Sequence, residues 1–220
     1  MKIGVLICAY NEEKHIKDVV EKCFKYLKDV IVVNDGSGDD TLNELKKTGA
    51  KIISYKENKG KGYALKKGFD YAIKNKFDYL ILLDGDGQHN PKEIPKFLRE
   101  INKGYDLIIG CRKKRHSDMP YIRRATNFLS SLLLSIKLKH KIKDTQSGYK
   151  AINLNFLKNI KLERKRYDLE SEMLIKIIKQ KAKVKCVTIE TIYRDETSTI
   201  HPIKDTLRFF RVLFKNEKTK

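Results

Sequence analysis

Short apolar runs alternate with segments of helical periodicity along the first half of this chain, and this alternation constrains the fold more than any other sequence feature. Five runs have the length of buried strands: IGVLICA (3–9), VIVVN (30–34), KIISY (51–55), YLILLD (79–84) and YDLIIGC (105–111). Helical patterns lie between them, at 19–27, from Gly62 onward and at 91–102. Such alternation predicts an α/β fold with a mostly parallel central sheet and helices on both faces.

The second half of the chain is less regular. Its pattern predicts helices over 121–138 and 169–181, a loop at 144–150, a strand at 184–190 and a last helix over 202–215. A length of 220 residues suits one domain with a tail. We therefore expect a main domain over residues 1–200 and an amphipathic, basic C-terminal helix over residues 201–220.

Polar residues follow four of the predicted strands at the point where each strand ends. These segments are Ala9-Tyr10-Asn11-Glu12, Asn34-Asp35-Gly36-Ser37, Asp84-Gly85-Asp86-Gly87-Gln88 and Gly110-Cys111-Arg112. Ligands of open parallel sheets bind beyond the carboxyl ends of the strands, where such loops converge. The sequence therefore predicts a binding site at this edge.

The sequence DGDGQ at 84–88 places two carboxylates two residues apart, with Gly85 relaxing the backbone between them. Their mutual repulsion favours a cation, and Mg²⁺ or Mn²⁺ suits carboxylate and amide oxygens while keeping water and phosphate as further ligands. We predict a metal site formed by Asp84, Asp86 and the carbonyl oxygen of Gln88. The alternative is a simple turn in which aspartate caps the backbone locally.

Asp35 in the sequence DGSGDD has the same two interpretations. At a strand end, its carboxylate is placed to accept hydrogen bonds from a base or a ribose, whereas Asp39 or Asp40 has the position of a helix cap. Gly60-Lys61-Gly62 precedes a helix and offers backbone N–H groups to an anion, although the full phosphate-loop pattern is missing.

The chain carries a formal net charge of +20, which favours an anionic partner such as phosphorylated small molecules, an acidic membrane surface or nucleic acid. Its four cysteines form no CxxC pair, which fits a reducing, cytoplasmic setting. The apolar run after Met1 meets Asn-Glu-Glu rather than a cleavage site, so we interpret it as a strand and not a signal peptide. No window has the roughly 18 to 20 apolar residues of a spanning helix, so any membrane contact is expected to be peripheral.

Seven motifs together resemble the inverting glycosyltransferases of family 2, most closely the polyprenyl-phosphate and dolichyl-phosphate mannose and glucose synthases. In chain order they are AYNEE (9–13), VVNDGSGDDT (32–41), NKGKGYALKKGF (58–69), LLDGDGQHNP (82–91), GCR (110–112), DTQSGYK (144–150) and YDLESEML (167–174). The resemblance implies a GT-A fold, in which a divalent metal, Mg²⁺ or Mn²⁺, binds the diphosphate of a nucleotide sugar. The implied donor is of the GDP-mannose or UDP-glucose type and the implied acceptor is a polyprenyl phosphate.

The resemblance also implies roles for individual residues. Those expected to line the nucleoside pocket are Ala9, Tyr10, Glu12, Val33 and Asp35; those expected to serve ribose, metal and diphosphate are Asp84, Gly85, Asp86 and Gln88. In the late loop YRDETSTIHP, Arg194 and Ser198 match donor-phosphate positions, whereas the family's lysine is absent. Arg112 is expected near the phosphates of the donor or the acceptor, and Arg123 and Arg124 near the acceptor phosphate. Asp144 has two interpretations, orienting or deprotonating the acceptor, or anchoring its own turn.

Two segments that combine basic and apolar residues suggest contact with an anionic membrane surface. Arginines and lysines flank the apolar run at 128–136, and basic residues also lie along 202–215 beside an apolar face. Packing within the core is the alternative for both. Some relatives carry transmembrane helices after this point, so a membrane-embedded partner subunit is a further expectation, and the predicted location is the cytoplasmic face of a membrane.

Three other functions compete with this one. A family 2 enzyme acting on a sugar hydroxyl has the same donor motifs. A sugar nucleotidyltransferase uses a related fold, but the chain lacks an obvious Gly-rich loop ending in Arg or Lys after strand one. Nucleic-acid binding rests on charge alone, because aromatic and basic residues do not interleave as in a stacking platform; we predict no nucleic-acid partner.

Overall fold

The computed structural model describes residues 1–112, 135, 144, 147–163, 168–190 and 192 of the chain. Its strands are β1 Ile3–Ala9, β2 Val30–Asp35, β3 Lys51–Tyr55, β4 Tyr79–Asp84, β5 Leu107–Arg112, β6 Lys150–Asn153 and β7 Val184–Ile189. Its helices are α1 Ile16–Phe24, α2 Thr41–Lys46, α3 Lys61–Lys74, α4 Ile94–Asn102, α5 Asn155–Lys158 and α6 Asp168–Lys179, with a 3₁₀ turn over Pro91–Glu93. The helices predicted over 121–138 and 202–215 lie outside the described residues, except for Ser135, which is helical.

The seven strands form one sheet in the order β3-β2-β1-β4-β6-β5-β7. Neighbouring strands are parallel except at β6, which is antiparallel to both β4 and β5. The predicted mostly parallel sheet is therefore confirmed. Because six strands run the same way, their carboxyl ends meet at one edge, which we call the carboxyl edge.

Strand β6 is not indicated by the sequence pattern, which places Lys150 in a loop. KAIN is four residues long and begins with lysine, so it lacks the apolar run that marks the other strands. In the sheet, Lys150 pairs with Leu82 of β4 and Ile109 of β5. Its place in the sheet comes from pairing with β4 on one side and β5 on the other.

Helices cover both faces of the sheet, as predicted. Alternate residues of each strand point to opposite faces, and the two faces have separate buried clusters. On one face, helices α3 and α6 pack on Leu6, Leu80 and Leu82. On the other, helices α1 and α4 pack on Val5, Ile7 and Ile81. Burial on both sides holds the strand ends in fixed relative positions, which is what a site built from them requires.

Helix α1 begins earlier than the sequence indicates, at Ile16 instead of Val19. The backbone N–H groups of His15 and Ile16 both bind the Glu12 carbonyl, which starts a helical turn before the periodic apolar positions begin. Strand β5 starts later than expected, at Leu107, and reaches Arg112. In the described part of the chain, no helix combines the length and the apolar character needed to cross a membrane.

Candidate functional site

The carboxyl edge brings together the residues that the sequence predicts there. Ala9, Asp35, Asp84 and Arg112 are the last residues of β1, β2, β4 and β5. Across the sheet, these strands follow the order β2, β1, β4, β5, with only β6 interposed. One edge therefore carries two carboxylates and a guanidinium on rigid supports.

Asp35 is buried, and both of its carboxylate oxygens accept hydrogen bonds from the last residue of β3 and the segment that follows. The Tyr55 hydroxyl donates at 2.7 Å, the Lys59 backbone N–H at 2.9 Å and the Asn58 amide at 3.2 Å. Burial, with the bond to Asp35, raises the pKa of Tyr55, so its hydroxyl remains a donor at neutral pH. Asp35 thus fastens the loop after β2 to the loop that precedes α3.

Gly36 allows this fastening because the two loops touch at its Cα. Its φ is +67°, and a Cβ there would lie 2.4 Å from the Glu57 carbonyl carbon and 2.6 Å from the Asn58 nitrogen. Neither neighbour is a movable side chain. Only glycine meets both conditions without strain.

We expect Gly36→Ala to lower the free energy of unfolding by about 1 to 3 kcal/mol, since it forces a left-handed residue against backbone. Gly38→Ala is the matched control, because a Cβ at that position would have no atom within 4 Å and its φ is ordinary. Urea unfolding of both variants measures the difference. Equal stabilities would contradict the close contact between the two loops.

The loops after β1 and β2 are tied to each other by short polar bonds. The backbone N–H of Asn11 donates to the Ser37 hydroxyl at 3.0 Å, and that of Glu12 donates to the Thr41 hydroxyl at 2.7 Å. Asp40 occupies the cap position of α2 but its side chain makes no capping bond; Asp39, one residue earlier, accepts from both the N–H and the hydroxyl of Thr41. These contacts hold the rim of the site beside Asp35.

Asp84 lies at the end of a chain of alternating charges. Its Oδ1 is 2.6 Å from the Lys61 ammonium, which is 2.9 Å from Oε1 of Glu170. The other Glu170 oxygen is 2.5 Å from the ammonium of Lys150, whose side chain is fully buried. Burial by itself would raise the pKa of Asp84, but the charge and hydrogen bond of Lys61, together with the nearby Lys150 and His89, outweigh it and lower that pKa to about 2. Asp84 is therefore an anion at neutral pH.

His89 supports the end of β4 as a neutral ring. Its Nδ1 accepts the backbone N–H of Asp84 at 3.1 Å, and the ring packs on Tyr149, which stacks on Phe97. Burial lowers the pKa of His89 to about 4. A neutral imidazole with a proton on Nε2 can accept this bond, whereas an imidazolium cannot.

The DGDGQ turn that follows β4 is held by one hydrogen bond within the turn and one to a later segment of the chain. Oδ1 of Asp86 accepts the Gln88 N–H at 2.9 Å, and the Gln88 backbone carbonyl accepts the N–H of Ile192 at 3.0 Å. Gly85 does not adopt a positive φ; Gly87 does, at 72°. Gly85 is small for another reason, since a Cβ there would lie 3.2 Å from Ala9 and 3.3 Å from the Cys8 carbonyl. The glycine lets the turn press against the end of β1.

Arg112 and Asp144 form a two-pronged ion pair. Nε of Arg112 is 2.8 Å from Oδ2 of Asp144, and Nη2 is 3.0 Å from Oδ1. Asp144 is 4% exposed, so this carboxylate is a buried partner for the arginine. Asp144 is therefore bound directly to the end of β5.

Comparison with known proteins identifies the family to which this chain belongs. The profile of the family described as Glycosyl transferase family 2 matches residues 4–161, which span β1 to α5. The chain belongs to glycosyl transferase family 2. The match covers six of the seven motifs, all but YDLESEML (167–174), so the resemblance to this family is confirmed and the protein is a glycosyltransferase.

Among the relatives of this glycosyltransferase are proteins whose names include dolichyl phosphate. One is the UDP-N-acetylglucosamine–dolichyl-phosphate N-acetylglucosaminyltransferase of Methanococcus voltae, 33% identical over 88% of this chain and 86% of that protein. Another is the dolichyl-phosphate hexose transferase of Haloferax volcanii, 29% identical over 79% of this chain and 75% of that protein.

Solved structures confirm the predicted GT-A fold. Glucosyl-3-phosphoglycerate synthase of Mycobacterium tuberculosis, crystallised with Mn²⁺, UDP and glucosyl-3-phosphoglycerate, superposes with a TM-score of 0.74 at 19% identity. The superposition covers 96% of this chain and 77% of that one. At this identity, the likeness concerns the fold alone.

The residues at the end of β4 fit a hard divalent ion in their donor chemistry. Asp84 and Asp86 offer carboxylate oxygens. A Cβ on Gly148 would lie 2.5 Å from Oδ2 of Asp84, so glycine at this position avoids a clash with that oxygen. In the described ranges, no group of three His, Cys, Asp or Glu side chains forms a complete metal cage. The donor set is that of an ion which also takes water and phosphate oxygens.

The other predicted site residues of this family 2 enzyme differ in how exposed they are, and some lie outside the described residues. Tyr10 is 47% exposed at the rim, Glu12 is half-buried, and Val33 is wholly buried beneath α3. Arg123, Arg124, Arg194 and Ser198 lie outside the described residues. The individual roles assigned to all these residues stay predictions.

Sequence reasoning misses the groups that support Asp84. The Gly-Lys-Gly segment suggests a role for backbone N–H groups, yet the side chain of Lys61 makes the contact. Glu170 lies in the YDLESEML motif, which by itself indicates no role for this residue, and His89 directly follows the DGDGQ turn. Lys150 gives no signal, because a lysine in a polar segment is normally exposed.

Proposed function

We propose that this glycosyltransferase moves a hexose from a nucleotide diphosphate sugar to a polyprenyl phosphate such as dolichyl phosphate, with inversion and with a divalent metal. The donor would be of the GDP-mannose or UDP-glucose type, and UDP-N-acetylglucosamine joins this set because of the Methanococcus relative's name. One observation carries the proposal. In a chain of family 2, the DGDGQ turn at the end of β4 and Arg112 at the end of β5 lie at the same edge of the sheet.

The donor would lie along the carboxyl edge. Asp35, on the β2 side, is the proposed contact of the nucleoside, with Ala9, Tyr10, Glu12 and Val33 forming the pocket around it. Asp84 and Gly85 would meet the ribose, and Asp84, Asp86 and Gln88 would hold the metal. Arg194 and Ser198 are proposed to bind the donor phosphates. The strand order supports this layout, since β2, β1 and β4 are adjacent.

The proposed reaction forms a bond from an acceptor phosphate oxygen to the anomeric carbon as the bond from that carbon to the donor diphosphate breaks. The nucleoside diphosphate leaves with the bonding electrons, so negative charge grows on its oxygens. A bound divalent ion supplies charge stabilisation at that diphosphate. Arg112, fixed by Asp144, offers preorganised positive charge on the other side of β4.

The acceptor phosphate needs little help from a base, because it is already anionic near neutral pH. Arg112, Arg123 and Arg124 are its proposed contacts. Asp144, whose two oxygens bind Arg112, is proposed to orient that arginine toward the acceptor. A hydroxyl acceptor would instead require a carboxylate base, which is the competing function within the family.

We further propose that the enzyme works at the cytoplasmic face of a membrane, with the basic segments after Arg112 and at 202–215 against anionic lipid. Each Lys or Arg near such a surface contributes about 1 kcal/mol. A membrane-embedded partner subunit would add to this attachment.

A transfer assay tests the proposed function. Purified protein with Mn²⁺, a labelled nucleotide sugar and dolichyl phosphate should give a labelled lipid that partitions into organic solvent. Donors to be compared are GDP-mannose, UDP-glucose and UDP-N-acetylglucosamine, and chelation by EDTA should abolish the product. Label on a free sugar hydroxyl and none on the lipid would favour the competing acceptor, and pyrophosphate release from a nucleoside triphosphate would favour a nucleotidyltransferase.

A further inference from the structure

Lys150 is a buried cation with no place in the catalytic scheme above. Its side chain is wholly inaccessible, and its ammonium donates both to Glu170 and to the Ser147 carbonyl. Taking an ammonium out of water is costly, and apolar residues of similar size often stabilise a core as well as a buried ion pair does. Its position relative to Asp84 points to a purpose beyond stability.

The first connection from Lys150 to Asp84 runs through side chains. Glu170 lies in the first turn of α6 and divides its oxygens between Lys150 and Lys61. Lys61, the first residue of α3, then reaches Oδ1 of Asp84 at 2.6 Å. Because the Lys61 ammonium also pairs with Glu170, its position beside Asp84 is fixed by two carboxylates.

The second connection runs through backbone. Lys150 binds the carbonyl of Ser147 and so fixes the turn that contains Gly148. A Cβ on Gly148 would lie 2.5 Å from Oδ2 of Asp84 and 2.9 Å from Cε1 of His89, which places this turn directly against the second carboxylate oxygen. Lys150 therefore acts on both oxygens of Asp84, each from a different element of the fold.

We propose that Lys150 is a positioning residue for the donor site, which orients the Asp84 carboxylate through Glu170 and Lys61 on one side and through the Ser147–Gly148 turn on the other. It touches neither metal nor donor. The proposal rests on the proposed function, since it assigns Asp84 to the metal and the ribose. The chain consists of two carboxylates and two ammonium groups, so the three supporting residues together carry one positive charge, which balances the negative charge of Asp84.

Lys150→Met tests the proposal, with Lys176→Met as matched control. Lys176 also pairs with a buried glutamate of α6, Glu172, at 2.8 Å, yet it does not belong to the charge chain that ends at Asp84. Isothermal titration with UDP and with GDP, each in Mn²⁺, gives the affinity of the donor site without turnover. We expect Lys150→Met to weaken binding of the preferred nucleotide at least 10-fold, Lys176→Met to bind within 2-fold of wild type, and Lys150→Arg to recover most of the loss.

Glu170→Gln is the second variant and keeps the test decisive if Lys150→Met does not fold. It preserves shape, but its amide cannot accept from both lysines, so we expect weaker nucleotide binding here too. Wild-type affinity in a folded Lys150→Met or Glu170→Gln protein overturns the positioning role and leaves the proposed function standing. Absence of UDP and GDP binding by the wild-type protein overturns both.

Discussion

Asp86→Asn is expected to reduce metal-dependent sugar transfer by at least about 100-fold, because metal stabilisation of a leaving diphosphate is worth several kcal/mol. The change removes one negative charge from a proposed metal ligand and keeps its size. Oδ1 of Asp86 accepts the Gln88 N–H, and an asparagine oxygen can still do so. The turn should therefore keep its shape, and stability should change little.

Initial rates over a series of Mn²⁺ concentrations measure this effect, and urea unfolding checks the fold. Asp18→Asn is the control, since it also removes one carboxylate, from an exposed ion pair with Lys22 on α1. Full activity of Asp86→Asn at low Mn²⁺ would refute the metal assignment. A large drop in the free energy of unfolding of Asp86→Asn would show instead that the turn depends on the charge for its stability.

Arg112→Met is expected to damage both the fold and the reaction. It leaves Asp144 buried without its two-pronged partner, and breaking a buried pair in this way costs about 3 to 5 kcal/mol. The lower end applies, because the Arg112 side chain is 22% exposed. Loss of preorganised positive charge should also slow transfer by about 100-fold or more.

The double variant Arg112→Met/Asp144→Asn separates these two effects. Replacing Asp144 removes the uncompensated charge, so the unfolding free energy should recover by more than half while transfer stays slow. Unfolding curves and initial rates of the wild type, the two single variants and the double variant form a complete cycle. Recovery of transfer together with stability would mean that Arg112 serves only the fold.

The carboxyl edge of the sheet is predicted well because buried parallel strands produce two clear patterns in the sequence. Each buried strand is a short apolar run, and each run here ends in polar residues that would be out of place in a core, as at Asp35 and Asp84. Five strands and their helices follow from that contrast. The same reasoning places Asp35, Asp84 and Arg112 together, since the direction of parallel strands determines which ends meet.

The support of Asp84 is beyond such reasoning because it depends on long-range contacts. Lys150 and Glu170 are 20 residues apart. Lys61 opens α3 and Glu170 lies in α6, with three strands between them in the sequence. Nothing in the local pattern of a lysine reveals a glutamate that packing brings beside it. Strand β6 escapes prediction for a related reason, since its burial comes from its neighbours β4 and β5 and not from an apolar run of its own.

The reversed direction of β6 has a consequence for how this enzyme can vary. Strand β5 leaves the sheet at the carboxyl edge with Arg112, and β6, running the other way, enters at that same edge with Lys150. The chain between them thus departs from and returns to the rim of the site, so its length can change without moving any strand, and loop closure becomes only slowly more costly with length. Asp144 and the Ser147–Gly148 turn belong to this stretch and contact Arg112 and the surroundings of Asp84. Changes of length that fall before Asp144 are therefore the ones that would leave these supports in place.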